Sequence, residues 1–255
     1  MTHCQTAAPA SRLRALLRRC LDSPPCALCG AVDTPGALLC SGCHDDLPWT
    51  TAARGDAGGD GDGGGTGGGG TAEAVAPVIE HRRAAGAAPV AARVAALDYR
   101  FPVDAMIRRL KFDGELWLAP VLGGLLFERC VGAARPDCLL PIPLSERRLA
   151  ERGFNQSTEI ARVLSRRTGI ALQPALLRRA RDTPPQSGLP LAGRADNLRG
   201  AFVVDRPVAG MHIALVDDVT TTGATGAEAA RSLLGQGAAR VDLWVVARTP
   251  RAGDG

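Results

Sequence analysis

Aromatic residues are the scarcest material in this chain. They make up 4% of its 255 residues, with five phenylalanines, three tryptophans and one tyrosine. A single-stranded nucleic-acid groove relies on aromatics beside basic segments. Only Trp49 and Phe154 stand near such segments here, and both positions equally suit a core. Long apolar runs are missing too: no stretch approaches the roughly 18–20 uninterrupted apolar residues of a membrane span. The one apolar stretch near the start is broken by Arg12, Arg14, Arg18 and Arg19, unlike the clean hydrophobic centre of a signal peptide. A cytoplasmic protein with no membrane span is the expectation. Charge of one sign does not dominate. A formal net charge of +4 suits anionic small molecules or nucleic acid and selects neither. No internal repeat is visible.

What is present is a 45% hydrophobic composition, ample for a globular core. Leu13, Leu16, Leu17, Cys20 and Leu21 recur at helical spacing, which predicts a short amphipathic helix over 11–22. Pro24-Pro25 ends it. A cysteine-rich segment runs from Cys26 to Trp49, and residues 55–70 are then almost all Gly and Asp. Such a run buries no apolar surface and reads as a flexible tether. The expected organisation is a small module over 1–54, a linker over 55–87 and a larger domain over 88–250.

Four of the eight cysteines form two Cys-x₂-Cys pairs: Cys26 with Cys29, and Cys40 with Cys43. Each pair can bend into a turn that presents two thiolates on one side. Two such turns facing each other make a tetrahedral sulfur site, which favours Zn²⁺. Gly30 follows the first pair and admits the left-handed backbone such a turn uses. A redox Cys-x₂-Cys is the alternative, but no βαβ pattern surrounds it. A cytoplasmic setting keeps thiols reduced and favours metal over disulfide. The zinc reads as structural, because so small a module needs a staple. Cys4, Cys20, Cys130 and Cys138 show no ligand spacing.

The larger domain alternates helical and strand patterns. Helices are predicted around Asp104–Phe112, over Pro120–Val131 and over 154–168; strands are predicted at Cys138–Pro143, Ala201–Val204, 213–217 and Val241–Ala247. Residues 178–200 read mainly as a long loop. This alternation implies a mostly parallel sheet with right-handed crossovers.

One run is the most informative: Ile213-Ala-Leu-Val-Asp217-Asp218-Val-Thr-Thr-Thr-Gly223-Ala-Thr225. The apolar residues read as a buried parallel strand. The carboxylates stand where that strand ends, the place ligands occupy in open α/β sheets. The Thr- and Gly-rich turn offers backbone N–H groups and hydroxyls at a helix N-terminus, an anion site. A structural helix cap needs one Thr or Asp, not two acids and a cluster of threonines. Carboxylates for a polyol beside a loop for a phosphate describe a receptor for ribose 5-phosphate. Glu228, further along the helix, reads as a solvated position.

The order and spacing of this run resemble the phosphoribosyl-diphosphate (PRPP) signature of type I phosphoribosyltransferases. The resemblance implies that Asp217 and Asp218 form the catalytic pair on the ribose hydroxyls. It implies that Thr221, Thr222, Gly223, Ala224 and Thr225 hold the 5′-phosphate.

Further segments resemble the ComF-type phosphoribosyltransferase-like proteins, associated with competence and DNA uptake. They are the paired cysteines, Leu110-Lys111-Phe112-Asp113-Gly114-Glu115, Pro141-Ile-Pro-Leu-Ser145, Arg147, Arg148 and Arg152-Gly-Phe-Asn-Gln156. Gln186, Arg194, Asn197 and the PRPP run complete the set. After Lys111, Phe112 and Asp113 depart from the family's more usual Tyr and Arg or Lys. The implied fold is a Rossmann-like, mostly parallel sheet flanked by helices, with a small zinc-binding module.

Ser145, Arg147 and Arg148 become diphosphate ligands, since guanidinium forks match phosphate oxygens. Gln186, Arg194 and Asn197 fall in the family's mobile flap, whose closure excludes water. Mg²⁺ is the implied cofactor of PRPP. Thr221 stands where purine-salvage relatives carry an acid, and a threonine is no general base at neutral pH, which argues against purine salvage. Two functions follow: a PRPP-binding phosphoribosyltransferase acting in competence or nucleotide-linked metabolism, or a non-enzymatic adaptor. The adaptor would bind single-stranded DNA or a helicase or competence-protein partner through the zinc module.

Overall fold

The computed structural model describes residues 24–32, 38–50, 79–81, 89–180 and 200–250. The predicted helix over 11–22, the tether over 55–70, and the flap residues Gln186, Arg194 and Asn197 lie outside them. The chain divides into two compact units, Met1–Leu47 and Pro48–Gly255.

In the smaller unit each cysteine pair occupies its own turn. The first is closed by a hydrogen bond from Gly30 N–H to the Cys26 carbonyl at 2.9 Å. The second opens helix α1, Ser41–Asp45, with Cys40 as its cap: the Cys40 sulfur accepts from the Cys43 N–H at 3.4 Å. The cysteines therefore serve as local turn formers before any metal is considered.

The larger unit holds a six-stranded sheet. Its strands are β1 (Ile79–His81), β2 (Ala92–Asp98), β3 (Cys138–Pro141), β4 (Ala171–Leu172), β7 (His212–Thr220) and β8 (Arg240–Arg248). The spatial order is β1-β2-β8-β7-β3-β4. All neighbours are parallel except β1, which is antiparallel to β2 at the edge. Strands β7 and β8 are flanked on both sides, and Ile213 through Val216 and Val241 through Ala247 are all buried. That is why they read as apolar runs, interrupted in β8 by the buried Asp242, rather than as alternating ones.

The predicted strand at 201–204 takes a different place. Phe202–Val204 (β6) pairs antiparallel with Leu177–Arg179 (β5) in a separate two-stranded sheet. Sequence reading assigned no strand to β2, whose Ala-rich run has weak strand propensity. Burial of Ala92, Val94, Ala96 and Leu97 against the core overrides it. Pro48–Thr50 runs beside β2, with Thr50 N–H bonded to the Ala96 carbonyl at 3.0 Å and Asp98 N–H to the Pro48 carbonyl at 2.8 Å.

Five helices complete the larger unit among the described residues: α2 (Val103–Arg108), α3 (Leu118–Cys130), α4 (Glu146–Arg152), α5 (Gln156–Thr168) and α6 (Ala224–Gly235). Helix α2 widens into a single π-type turn over Arg109–Asp113, a feature often associated with functional sites. Helix α6, through Ala229, Ala230 and Leu233, packs with Phe202 and Leu177 on one side of the core that contains Ile213, Leu215, Leu243 and Val245. Helices α3 and α5 pack against each other and against the sheet. Their approach is close: a Cβ on Gly123 would lie 2.7 Å from the Cβ of Val163.

After β3 the chain moves outward to β4; after β7 it moves the other way to β8. The loops leaving β3 and β7 therefore diverge. A crevice opens between their C-terminal ends, where ligands bind in open α/β sheets.

Candidate functional site

A pocket of about 370 Å³ fills that crevice. The loop Ile142–Leu144 after β3 lines one side, and Asp217 through Gly226 line the other. Every residue of the predicted ribose and phosphate set, Asp217, Asp218, Thr221, Thr222, Gly223, Ala224 and Thr225, contributes to this single cavity. Strand β7 runs further than the sequence implied. It continues past both acids to Thr220, because Val219 and Thr220 stay paired with Ala247 and Arg248 of β8.

The phosphate-side turn owes its shape to Gly223. This residue caps α6 at φ +77°, a left-handed conformation that strongly favours glycine. A Cβ there would also lie 2.6 Å from a terminal guanidinium nitrogen of Arg93, on β2. Glycine offers the helix no capping side chain. The helix therefore begins with N–H groups available to an anion, apart from Ala224 N–H, which the Thr222 hydroxyl accepts at 3.3 Å.

The two acids are held differently. Asp218 is buried; it forms an ion pair with Lys111 and accepts from the Gln156 side-chain amide at 3.1 Å. Asp217 accepts from the Ser157 hydroxyl and from the Asp218 N–H, each at 2.9 Å. Desolvation pushes the Asp217 carboxyl upward, and the Asp218 charge adds to the rise. Lys111 and the Ser157 hydroxyl pull the other way, leaving it at about 8. Two adjacent carboxylates in a partly dry site cannot both ionise freely.

Lys111, Gln156 and Ser157 were therefore missed as site residues, although Lys111 and Gln156 stand in segments that carry the family resemblance. Ser157 pairs with an acid sixty positions away. No local pattern reports such a contact.

The diphosphate candidates separate. Arg148 lines this pocket. Arg147 lines the adjacent one and is paired with Glu151 at 2.7 Å. Ser145 is buried, and its hydroxyl caps α4 by accepting from the Arg148 N–H at 3.4 Å. Asn155 caps α5 and donates to the Ile142 carbonyl at 3.0 Å, pinning the loop after β3. Glu228 corrects its sequence reading. It is buried, accepts from Gly200 N–H at 2.7 Å and pairs with Arg231, because the backbone at Gly200 covers that face of α6.

In the smaller unit the sulfurs of Cys26, Cys29, Cys40 and Cys43 all lie within 4.8 Å of one another. Cys29 and Cys40 are 3.7 Å apart. A tetrahedral zinc–sulfur site with legs of about 2.3 Å has edges of about 3.8 Å, so the four thiols could hold such an ion. Burial raises the Cys26 thiol, but hydrogen bonds from the backbone of Cys29, Cys40 and Leu28 outweigh it and bring it down to about 6. Cys130 and Cys138 are buried core thiols.

These features define a phosphoribosyltransferase-like α/β protein with an N-terminal four-cysteine module. The chain is 38% identical over 162 residues to DNA utilization protein YhgH of Salmonella typhi, covering 61% of this chain and 71% of that protein. It is 33% identical over 159 residues to competence protein F of Haemophilus influenzae, covering 59% and 69%. Against competence protein ComFC of Bacillus subtilis it is 36% identical over 152 residues, covering 56% and 58%. It belongs to the ComF family. No protein-family model matches it.

Among solved structures it is similar to glutamine PRPP amidotransferase from B. subtilis, with 21% identity, a TM-score of 0.36, and coverage of 50% of this chain and 26% of that one. A purine phosphoribosyltransferase from Pyrococcus horikoshii gives 17% identity, a TM-score of 0.31, and coverage of 54% and 80%. No helix among the described residues is long and apolar enough to cross a membrane.

Proposed function

We propose that the pocket between β3 and β7 binds PRPP and that the protein is a phosphoribosyltransferase-like member of its family, acting in competence-linked DNA handling or nucleotide-linked metabolism. The observation that carries this reading is the convergence of both acids and the whole Thr221–Thr225 turn on one cavity. The turn and the start of α6 receive the 5′-phosphate through backbone N–H groups, with no lysine required. Asp217 and Asp218 receive the ribose hydroxyls, and the ionised member of the pair stabilises positive charge that develops on the ring as the bond to diphosphate breaks. Arg148 and Lys111 face the same cavity and supply the countercharge for the diphosphate.

The pocket lining offers carboxylate and hydroxyl oxygens, a donor set suited to a hard cation. Asp217, Asp218 and the threonine hydroxyls are the residues that would hold Mg²⁺ with the ligand. When bound, Mg²⁺ neutralises the charge of the leaving diphosphate.

The four thiols of the smaller unit hold a structural Zn²⁺ in this reading. The names of the relatives, DNA utilization and competence proteins, favour a second role for the chain as a DNA-linked adaptor. Its partner would be single-stranded DNA or another competence protein.

Calorimetry of the purified protein with PRPP and Mg²⁺ tests the reading. Each charge-assisted hydrogen bond contributes roughly 1.5–3 kcal/mol, so Asp217→Asn with Asp218→Asn should weaken binding at least about tenfold. Equal affinity in the double variant and the wild type would remove the assignment. Product analysis against a panel of bases and amines then separates turnover from binding alone.

A further inference from the structure

A second cavity, about 790 Å³, adjoins the first and shares Lys111, Leu144, Arg148 and Gln156 with it. Its remaining wall comes from the π-type turn, with Phe112, from α4, with Arg152, and from Phe154 two residues beyond that helix. Three observations describe what this cavity is suited to hold.

The first is charge. Among the described residues no carboxylate is ion-paired with Arg148 or Arg152. Of the two acids in the lining, Glu151 is already paired with Arg147 and Asp113 is exposed on the π-type turn. Arg152 is half-buried; desolvation lowers its pKa, Asp218 and Glu151 oppose the shift, and the neighbouring Arg148 charge adds to it. Two cations crowded into a partly dry space call for an anion. The second is the aromatic surface. Phe112 is 72% exposed, which leaves ring surface open to a ligand. The Arg152 guanidinium sits over its ring at 5.4 Å, a cation–π contact. Phe154 adds a second, half-buried ring to the same lining. The third is position. The shared wall includes the lysine and the glutamine that hold Asp218, so a molecule in the second cavity lies next to one in the first.

We infer that the second cavity is a binding subsite for a planar aromatic carboxylate. The flat ring covers Phe112 and the carboxylate compensates Arg152, while Arg148, on the shared wall, stays with the diphosphate. This deepens the PRPP reading: if the first cavity holds PRPP, the second holds the acceptor, and the acceptor is an aromatic acid rather than a neutral nucleobase. A neutral base would leave the Arg152 guanidinium, which lines the second cavity alone, without an anion. A diphosphate reaching over from the first cavity would satisfy charge but has no face to cover Phe112.

Fluorine NMR titration of the full-length protein tests this with matched pairs of probes: 5-fluoroorotate against 5-fluorouracil, and 4-fluorobenzoate against 4-fluorobenzamide. At least one acid should bind about tenfold or more tightly than its neutral partner, the size expected of charge-assisted hydrogen bonds to arginine. Phe112→Ala removes an exposed ring and leaves the core untouched. It should weaken that acid at least about fivefold while PRPP affinity, read by calorimetry, stays at the wild-type value. Arg152→Gln should weaken the acid as well.

Acids that bind no better than their neutral partners would overturn the inference. So would acid affinity unchanged by Phe112→Ala. Binding of a single-stranded oligonucleotide that depends on Phe112, with no binding of the small acids, would overturn it in favour of DNA. The Asp217→Asn, Asp218→Asn double variant keeps the two readings apart. Its loss of PRPP with retention of the acid supports both. PRPP binding without any acid binding removes only the second.

Discussion

The Lys111 ammonium pairs with the Asp218 carboxylate, and the two come from opposite ends of the larger unit: a π-type turn near its start and the central strand near its end. The carboxylate is almost fully enclosed and the lysine only slightly exposed. Removing one partner of such a pair leaves a buried, uncompensated charge, at a cost of about 3 kcal/mol or more. Lys111→Met should therefore lower stability by about that amount. Adding Asp218→Asn should restore part of it, because the stranded charge disappears. Urea titrations of the two single variants and the double variant measure this. Strict additivity would show that the pair carries no coupling energy.

The raised Asp217 carboxyl gives the pH dependence a definite sign. The folded protein holds that proton up to about 8, whereas an unfolded chain releases it near about 3.9. The proton therefore contributes stability that is fully present below about pH 4 and is lost as pH rises through the folded value. The melting temperature of the unliganded protein should fall between about pH 5 and pH 8, and the slope should flatten in Asp217→Asn. Parallel profiles for the two proteins would show that Asp217 titrates normally.

Gly223→Val imposes a β-branched side chain at φ +77° and drives its Cβ toward the Arg93 guanidinium. The left-handed conformation alone costs about 1–2 kcal/mol. PRPP and ribose 5-phosphate binding should be lost in calorimetry. Metal content of the smaller unit should remain at the wild-type level. Retained phosphate binding would mean that the turn is not the phosphate receptor.

Metal analysis of protein purified without chelators should find about one Zn²⁺ per chain, set by the four-thiolate geometry. Cys29→Ser should release it. Near-zero metal, with all four thiols freely titratable, would refute the zinc assignment.

Adjacent glycines on α3 should respond differently to the same change. A Cβ on Gly123 meets the Cβ of Val163 at 2.7 Å, whereas a Cβ on Gly124 meets only the tip of the Arg167 side chain at 3.6 Å. Gly123→Ala should lose about 1–3 kcal/mol through overpacking. Gly124→Ala should be neutral or gain up to about 1 kcal/mol from helix propensity. Equal melting temperatures would show that α3 and α5 can separate at no cost.

Much of the larger unit could be read from the chain because its buried strands are continuous apolar runs. Ile213–Val216 and Leu243–Ala247 announce themselves in this way. The PRPP run was legible because the ribose and phosphate chemistry is packed into consecutive positions. β2 was not legible, since its alanines carry little strand preference and only the sheet selects them. Helix α4 was hidden for a different reason: its cap, Ser145, was read as a ligand. Glu228 has the pattern of a surface residue, and only the distant Gly200 backbone reveals that it is covered. Lys111, Gln156 and Ser157 reach the acids over long separations in the chain, which local periodicity cannot encode.

Strand β7 remains paired with β8 through Thr220, and the Thr249 N–H then bonds the Thr220 carbonyl at 2.9 Å. Both acids are thus stitched into the middle of the sheet and cannot shift without separating its two central strands. The cavity has one wall with the rigidity of the folding core, and opposite it Lys111 reaches in from the π-type turn, where Phe112, Asp113 and Gly114 are exposed. Adjustment to an arriving molecule must come from the second wall. Amide hydrogen exchange should report this division: residues 217–220 should open only with global unfolding, and residues 109–114 should exchange much faster by local opening.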